Sequence, residues 1–318
     1  MEQTVNTVNK RKTIFNNKKR RGQFIFYWCL VIIPLVQFIL LYICVNFRSI
    51  LFAFQKYDFT NSVYVYNFSF FAENLKTICT EMFSGDILGI AWWNSTKSYL
   101  LTLLIITPLQ ILVAFFVYKK LPLAGYFRIV LYLPNMVAGM TTIIGFKYFV
   151  EKGLPEIFPA MEILTHGGGL LANPATIFNT LLFYVAWTSM GGGLILMTGT
   201  MSRTDKEMIE AAHLDGANLW QEFRYIIFPV IYPVLSIQLY TGVVAIFTGG
   251  PPLYQFYASN LPDQAATVQY YFFTLVIGST SSPANYPKAA LGGLLFTLVA
   301  APIVFLLKWF FEKKDPNN

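Results

Sequence analysis

The residues best placed to do chemistry lie between Asp205 and Pro229, and the chemistry they suit is contact rather than bond making. Across residues 205–214, Asp205, Glu207, Glu210 and His213 supply a polar patch while Met208, Ala211, Ala212 and Leu214 supply an apolar one, the pattern of an amphipathic helix. Asp205 and Glu207 fall in its first turn, where the positive end of the helix dipole favours acids. Gly216 permits a left-handed turn, and a second short amphipathic helix leads from Leu219 to Pro229. Such a knob suits a groove on a soluble partner, or it lies on a membrane surface; spacing alone leaves both open.

Other chemistries are poorly served. The chain has 2 histidines, His166 and His213, and neither has the neighbours of a metal site or a nucleophilic triad. No GxxxxGK[ST] run cradles a phosphate, so the chain is no ATPase by itself. Cys29, Cys44 and Cys79 show neither metal-ligand nor CxxC spacing. The expectation is a chain that is not an enzyme and binds no cofactor or metal.

Inside the apolar runs, neutral polar and aromatic groups remain: Asn135, Trp187, Gln238, Tyr240 and Thr241 are candidate lining for a solute path, alongside others such as Gln110 and Tyr184. Amides and rings suit the hydroxyls and apolar faces of a sugar. The same groups also suit interhelical hydrogen bonds or packing.

The elements that position these residues are membrane spans. Of 318 residues, 55% are hydrophobic and 12% charged, with a mean hydropathy of +0.52, outside the usual soluble balance. Uncharged runs long enough to cross the apolar core as helices occupy about 24–45, 98–118, 129–146, 175–199, 229–248 and 289–307, which predicts an all-α integral membrane protein with six spans. The first run exceeds the apolar core of a signal peptide, so it is expected to be retained as helix one. None of these runs holds an acid or a base, which argues against an ion-coupled carrier.

Lys and Arg placement orients the chain. Most of the 23 basic residues fall on one side if both termini are cytoplasmic: the tail 1–23, the turn 119–128, the loop 205–228 and the tail 312–318. The net charge of +7 then follows from orientation and contact with anionic lipid, with no nucleic-acid partner required. Residues 46–97 are expected outside, with Trp92 and Trp93 anchoring at the headgroup belt. Thr267–Gly278 is too short to span and reads as an interfacial or re-entrant helix.

Glu210-Ala211-Ala212 with Asp215 and Gly216, followed by Phe228-Pro229, resembles the EAA loop of binding-protein-dependent ABC importer permeases. The likeness runs from the first span to the last and is greatest for the carbohydrate branch, on Phe127-Arg128 leading to Leu133-Pro134 and on Trp187. It implies the type I importer permease fold, in which Glu210, Ala211, Ala212, Asp215 and Gly216 couple to an ATPase. It further implies a second permease subunit, two ATP-binding subunits that hold ATP and magnesium, an extracellular solute-binding protein, and a sugar or oligosaccharide as cargo in a bacterial plasma membrane. Other cargoes within the class are glycerol phosphate or a peptide; outside it stand a secondary carrier and a membrane receptor. Two departures stand out. His213 replaces a base common in the family, and Gly249-Gly250-Pro251-Pro252 comes early after Pro229, so helix five is either short or broken.

Overall fold

The computed structural model describes residues 18–158, 169–278 and 281–315; His166 and residues 1–17 of the basic tail lie outside them. Helix α1 runs from Lys18–Gln37 through a π-helical turn, Phe38–Ile43, into Cys44–Phe52. Its most apolar window contains no buried residue, so its packing within this chain is confined to its last turns, against the helix Asn285–Lys313.

The segment after α1, expected outside, opens with a small hairpin, β1 (Gln55–Asp58) and β2 (Val63–Tyr66), antiparallel with Tyr57 opposite Tyr64. Alternating Val and Tyr favour an extended chain, and Asp58 closes the turn by accepting from the Thr60 amide at 2.9 Å and from Asn61 at 2.8 Å. Helix α2 (Phe68–Phe83) follows, its first turn capped by Asn67, which accepts from the Phe70 amide.

Helix α3 spans Ile87–Tyr118, with a π-helical turn at Thr102–Ile106. It starts well before the uncharged run that announced it, so Trp92, Trp93 and Lys97 are helical. The two tryptophans part company: Trp92 packs on Phe247 at 5.5 Å, while Trp93 faces out with the Lys97 ammonium over its ring. An anchoring role at the belt thus suits Trp93 alone.

The expected straight third span is two helices, α4 (Ala124–Met136) and α5 (Gly139–Ile157), meeting at 106°. Pro134 lacks the amide hydrogen its turn would use, and Val137 and Ala138 adopt extended backbone. Lys147 is consequently helical, with its ammonium 5.9 Å from the Tyr257 ring centre.

Helix α6 (Ile177–Met201) runs unbroken through Gly191-Gly192-Gly193, within the expected span 175–199, although glycine is a poor helix former. The glycines serve close approach instead. A Cβ on Gly191 would lie 2.6 Å from the Leu131 carbonyl oxygen in α4, and one on Gly193 would lie 2.4 Å from the Gln110 side chain in α3. Both helices pack on α6 at this notch.

Helix α7 (Lys206–Leu214) leads to α8 (Leu219–Gly242). The expected fifth span, 229–248, begins earlier and stops sooner than the charge-free run suggests. A π-helical turn at Phe223–Ile227 absorbs the hydrogen bond that Pro229 cannot make, so the helix continues across it. Beyond Gly242 the chain loosens into a short turn, Ala245–Thr248, and ends at Gly249. Gly250 has φ +115°, a conformation that only glycine adopts freely; helix five ends at Gly242, and these glycines close the turn that follows it.

After α9 (Leu253–Tyr257), helix α10 (Val268–Ile277) is capped by Thr267, which accepts from the Tyr270 amide. Two side chains of α3 hold its approach: Asn94 donates to the carbonyls of Gln264 and Ala266, and Ser95 accepts from the Val268 amide. Helix α11 (Asn285–Lys313) closes the bundle, and Gly292 receives the Phe272 ring of α10. Among the described residues five helices are long and apolar enough to cross a membrane, and six if α4 and α5 form one bent span.

Candidate functional site

Two places bear on the residues singled out by sequence. The first is the α7–α8 corner. Asp205 accepts from the Glu207 amide and caps α7, while Asn218 and Gln221 cap α8 reciprocally, each side chain accepting from the other residue's backbone amide. Gly216 sits between them at φ +80°, where any Cβ is strained. A rigid corner results, made from two capped helix starts and one left-handed residue.

The corner points apolar groups at solvent. Leu214 is 90% exposed and Trp220 65% exposed, with Met208, Leu219 and Tyr225 also outward. Glu210, Ala211, Asp215 and Gly216 are exposed beside them, and Ala212 is half-buried. Apolar side chains grouped on a polar corner mark a surface that meets a protein or a membrane.

Behind the corner lies a charge cluster that the sequence did not disclose. Glu222, 1% exposed, accepts from Lys119 Nζ at 2.9 Å through both carboxylate oxygens, and from His213 Nε2 at 3.0 Å. A carboxylate only accepts here, so Nε2 carries the hydrogen. The only signal in the sequence was an acid in the short amphipathic helix; its partner 103 residues away gave none.

The second place is a cavity of about 260 Å³ among α3, α6 and α8, lined by Ser98, Thr102, Thr107, Ser189, Gln238 and Gly250 with apolar neighbours. Gln110, 3% exposed, donates to the Ser189 carbonyl at 2.9 Å and accepts from Gln238 Nε2 at 3.3 Å. Gln238 Oε1 is buried with no hydrogen-bond partner. A larger cavity of about 870 Å³ between α10 and α11 is lined chiefly by Phe247, Phe272, Phe273, Phe296 and small aliphatic groups, and offers a polar solute little.

Of the candidate path residues, only Gln238 lines the polar cavity. Asn135 is exposed on α4 and donates to the Thr188 carbonyl at 2.9 Å, which is an interhelical bond. Trp187 joins an aromatic group with Phe146 and Tyr184. Thr241 donates back to the Ile237 carbonyl of its own helix, and Tyr240 is half-buried away from that lining. Ser98, Thr107 and Ser189 are the lining residues that sequence reading passed over, because hydroxyls in apolar runs are common.

Residues 106–317 match the family model described as binding-protein-dependent transport system inner membrane component. This chain belongs to that family. It is therefore a permease component of an importer and not an enzyme. The protein named "Probable starch degradation products transport system permease protein AmyD", from Thermoanaerobacterium thermosulfurigenes, is 26% identical over 225 residues, covering 68% of this chain and 71% of AmyD. The multiple sugar-binding transport system permease protein MsmF of Streptococcus mutans is 28% identical over 241 residues, covering 71% of this chain and 78% of MsmF. A chain in the crystal structure of a bacterial ABC transporter that imports the acidic polysaccharide alginate superposes with a TM-score of 0.69 at 16% identity, covering 93% of this chain and 98% of that one. That likeness is one of fold.

Proposed function

We propose that this permease is one half of the translocation path of an ATP-driven importer, and that its cargo is a sugar or oligosaccharide. The observation that carries the reading is the rigid α7–α8 corner, whose exposed Leu214 and Trp220 flank a left-handed Gly216. In this reading Glu210, Ala211, Ala212, Asp215 and Gly216 dock on a partner ATPase that supplies ATP and magnesium. A second permease completes the path, two ATP-binding subunits drive it, and an extracellular binding protein delivers the solute. Both termini then face the cytoplasm of a bacterial cell. The sugar assignment is supported by the names of the relatives and by the neutral, hydroxyl- and amide-lined cavity at Gln238.

Mechanically, closure of the ATPases displaces the docked corner, and α8 carries that displacement to the cavity because it is one continuous helix from Leu219 to Gly242. Gly216→Asp abolishes uptake and ATPase co-purification while leaving membrane insertion intact, since the added side chain strains a left-handed residue by about 1–2 kcal/mol and places a charge in the docking face. Deleting the partner ATPase gene tests the reading as a whole: uptake of the sugar ceases. Uptake that survives the deletion and collapses with the ion gradient identifies a secondary carrier instead, and the absence of any uptake phenotype favours a receptor.

A further inference from the structure

The cluster behind the corner joins three elements that the chain otherwise connects loosely. Lys119 ends α3, His213 lies in the last turn of α7, and Glu222 lies in the first turns of α8. The Glu222 side chain is fully buried, the Lys119 side chain is 18% exposed and the His213 side chain is 50% exposed. A buried carboxylate that meets an ammonium through both oxygens is held in one geometry, and removal of either partner leaves an uncompensated charge in a poorly hydrated place. The corner itself is built by caps and one glycine; nothing in those caps fixes it to α3.

Resting on the coupling role proposed above, we infer that Glu222 is a positioning residue for energy coupling: with Lys119 and His213 it fastens the docking helix α7 to the bases of α3 and α8, so all three move as one body. Three facts favour this over a merely local salt bridge. The carboxylate is shared between two donors on different elements. Phe223, next in α8, packs on Phe115 of α3 at 5.1 Å, so the ion pair sits over an apolar seam joining the same helices. And α3 and α8 both line the Gln238 cavity, so a displacement delivered at Glu222 reaches it along two walls.

The test uses the complete importer in proteoliposomes, with Glu222→Gln, Lys119→Glu, Glu222→Lys and the double exchange Lys119→Glu with Glu222→Lys. Glu222→Gln is expected to insert and to retain its ATPase, yet to lower uptake on the order of tenfold while ATP hydrolysis continues, so that ATP consumed per solute rises several-fold. The double exchange restores much of the lost coupling, whereas each single charge reversal does not. A Glu222→Gln importer with an unchanged ATP-to-solute ratio overturns the inference. So does a double exchange no better than its worse parent, or a Glu222→Gln chain that fails to insert, which would make the cluster a folding device.

A second measurement stands apart from the ATPase. With Cys29, Cys44 and Cys79 replaced by serine, spin labels at Lys206→Cys and Lys120→Cys report the distance between α7 and the end of α3 in the isolated chain. Glu222→Gln broadens that distribution; an unaltered one counts against the fastening. Should the unmodified chain bind no ATPase at all, the function proposed above fails on its own, and the spin-label result still decides whether the cluster fastens α7.

Discussion

Gln238 ties α8 to α3 and borders the polar cavity. Its Nε2 donates to Gln110, which in turn donates to the Ser189 carbonyl, while its Oε1 is buried without a partner. An unpaired buried amide oxygen costs about 1–3 kcal/mol, and a turn of the amide toward the cavity would let a solute hydroxyl recover part of that. Gln238→Leu should raise the KM for sugar uptake by about five- to tenfold, the worth of one hydrogen bond, with ATPase co-purification unchanged; an unchanged KM would remove Gln238 from the path. Sequence could find Gln238 because an amide inside an apolar run is conspicuous. It could not separate Gln238 from Tyr240 and Thr241, since each residue along a helix turns its side chain by roughly 100° and the orientation of α8 is set by neighbours. Asn135 and Trp187 lie away from that cavity: one bonds across helices and the other packs among rings, and residue type is the same in either use.

At the scale of the element, most of the fold was legible as long uncharged runs, and the errors cluster where glycine and proline had to be interpreted. Gly191 and Gly193 lie inside an expected span and form a notch for α4 and α3, whereas Pro134, also inside an expected span, precedes a 106° bend. The difference lies outside the helix concerned, in what the neighbours press against it. Gly191→Ala should destabilise the bundle by about 1–3 kcal/mol, because besides the movable Asn135 amide at 2.5 Å the new Cβ meets the Leu131 carbonyl oxygen at 2.6 Å, a backbone atom that cannot swing aside; lower detergent thermostability of the purified permease is the readout, and equal stability would show that α4 yields. Helix ends shifted as well: Lys97, Lys147, Glu222 and Lys288 are helical, beyond the runs that charge alone delimits. Lys288 meets Glu81 at 2.9 Å, with the Tyr271 hydroxyl donating to the same carboxylate, so α11, α2 and α10 are joined at the far end of α3 from Glu222.

For the whole molecule, orientation is the property the amino-acid composition speaks to most directly, through the positions of its bases. Cys79 makes that reading measurable, being exposed on α2, in the segment expected outside. A membrane-impermeant maleimide should label Cys79 in intact cells; labelling only after permeabilisation would invert the topology. The four π-helical turns among the described residues, at Phe38–Ile43, Thr102–Ile106, Phe149–Gly153 and Phe223–Ile227, bear on the descent of the chain. A single π turn amounts to an α-helix carrying one surplus residue. Insertions and deletions inside a membrane helix ordinarily rotate everything beyond them and are eliminated, yet at these four turns a residue can be lost with both flanks keeping their facing. Alignment of this permease with its kin therefore has to admit one-residue gaps in the middle of spans, where gaps are customarily forbidden.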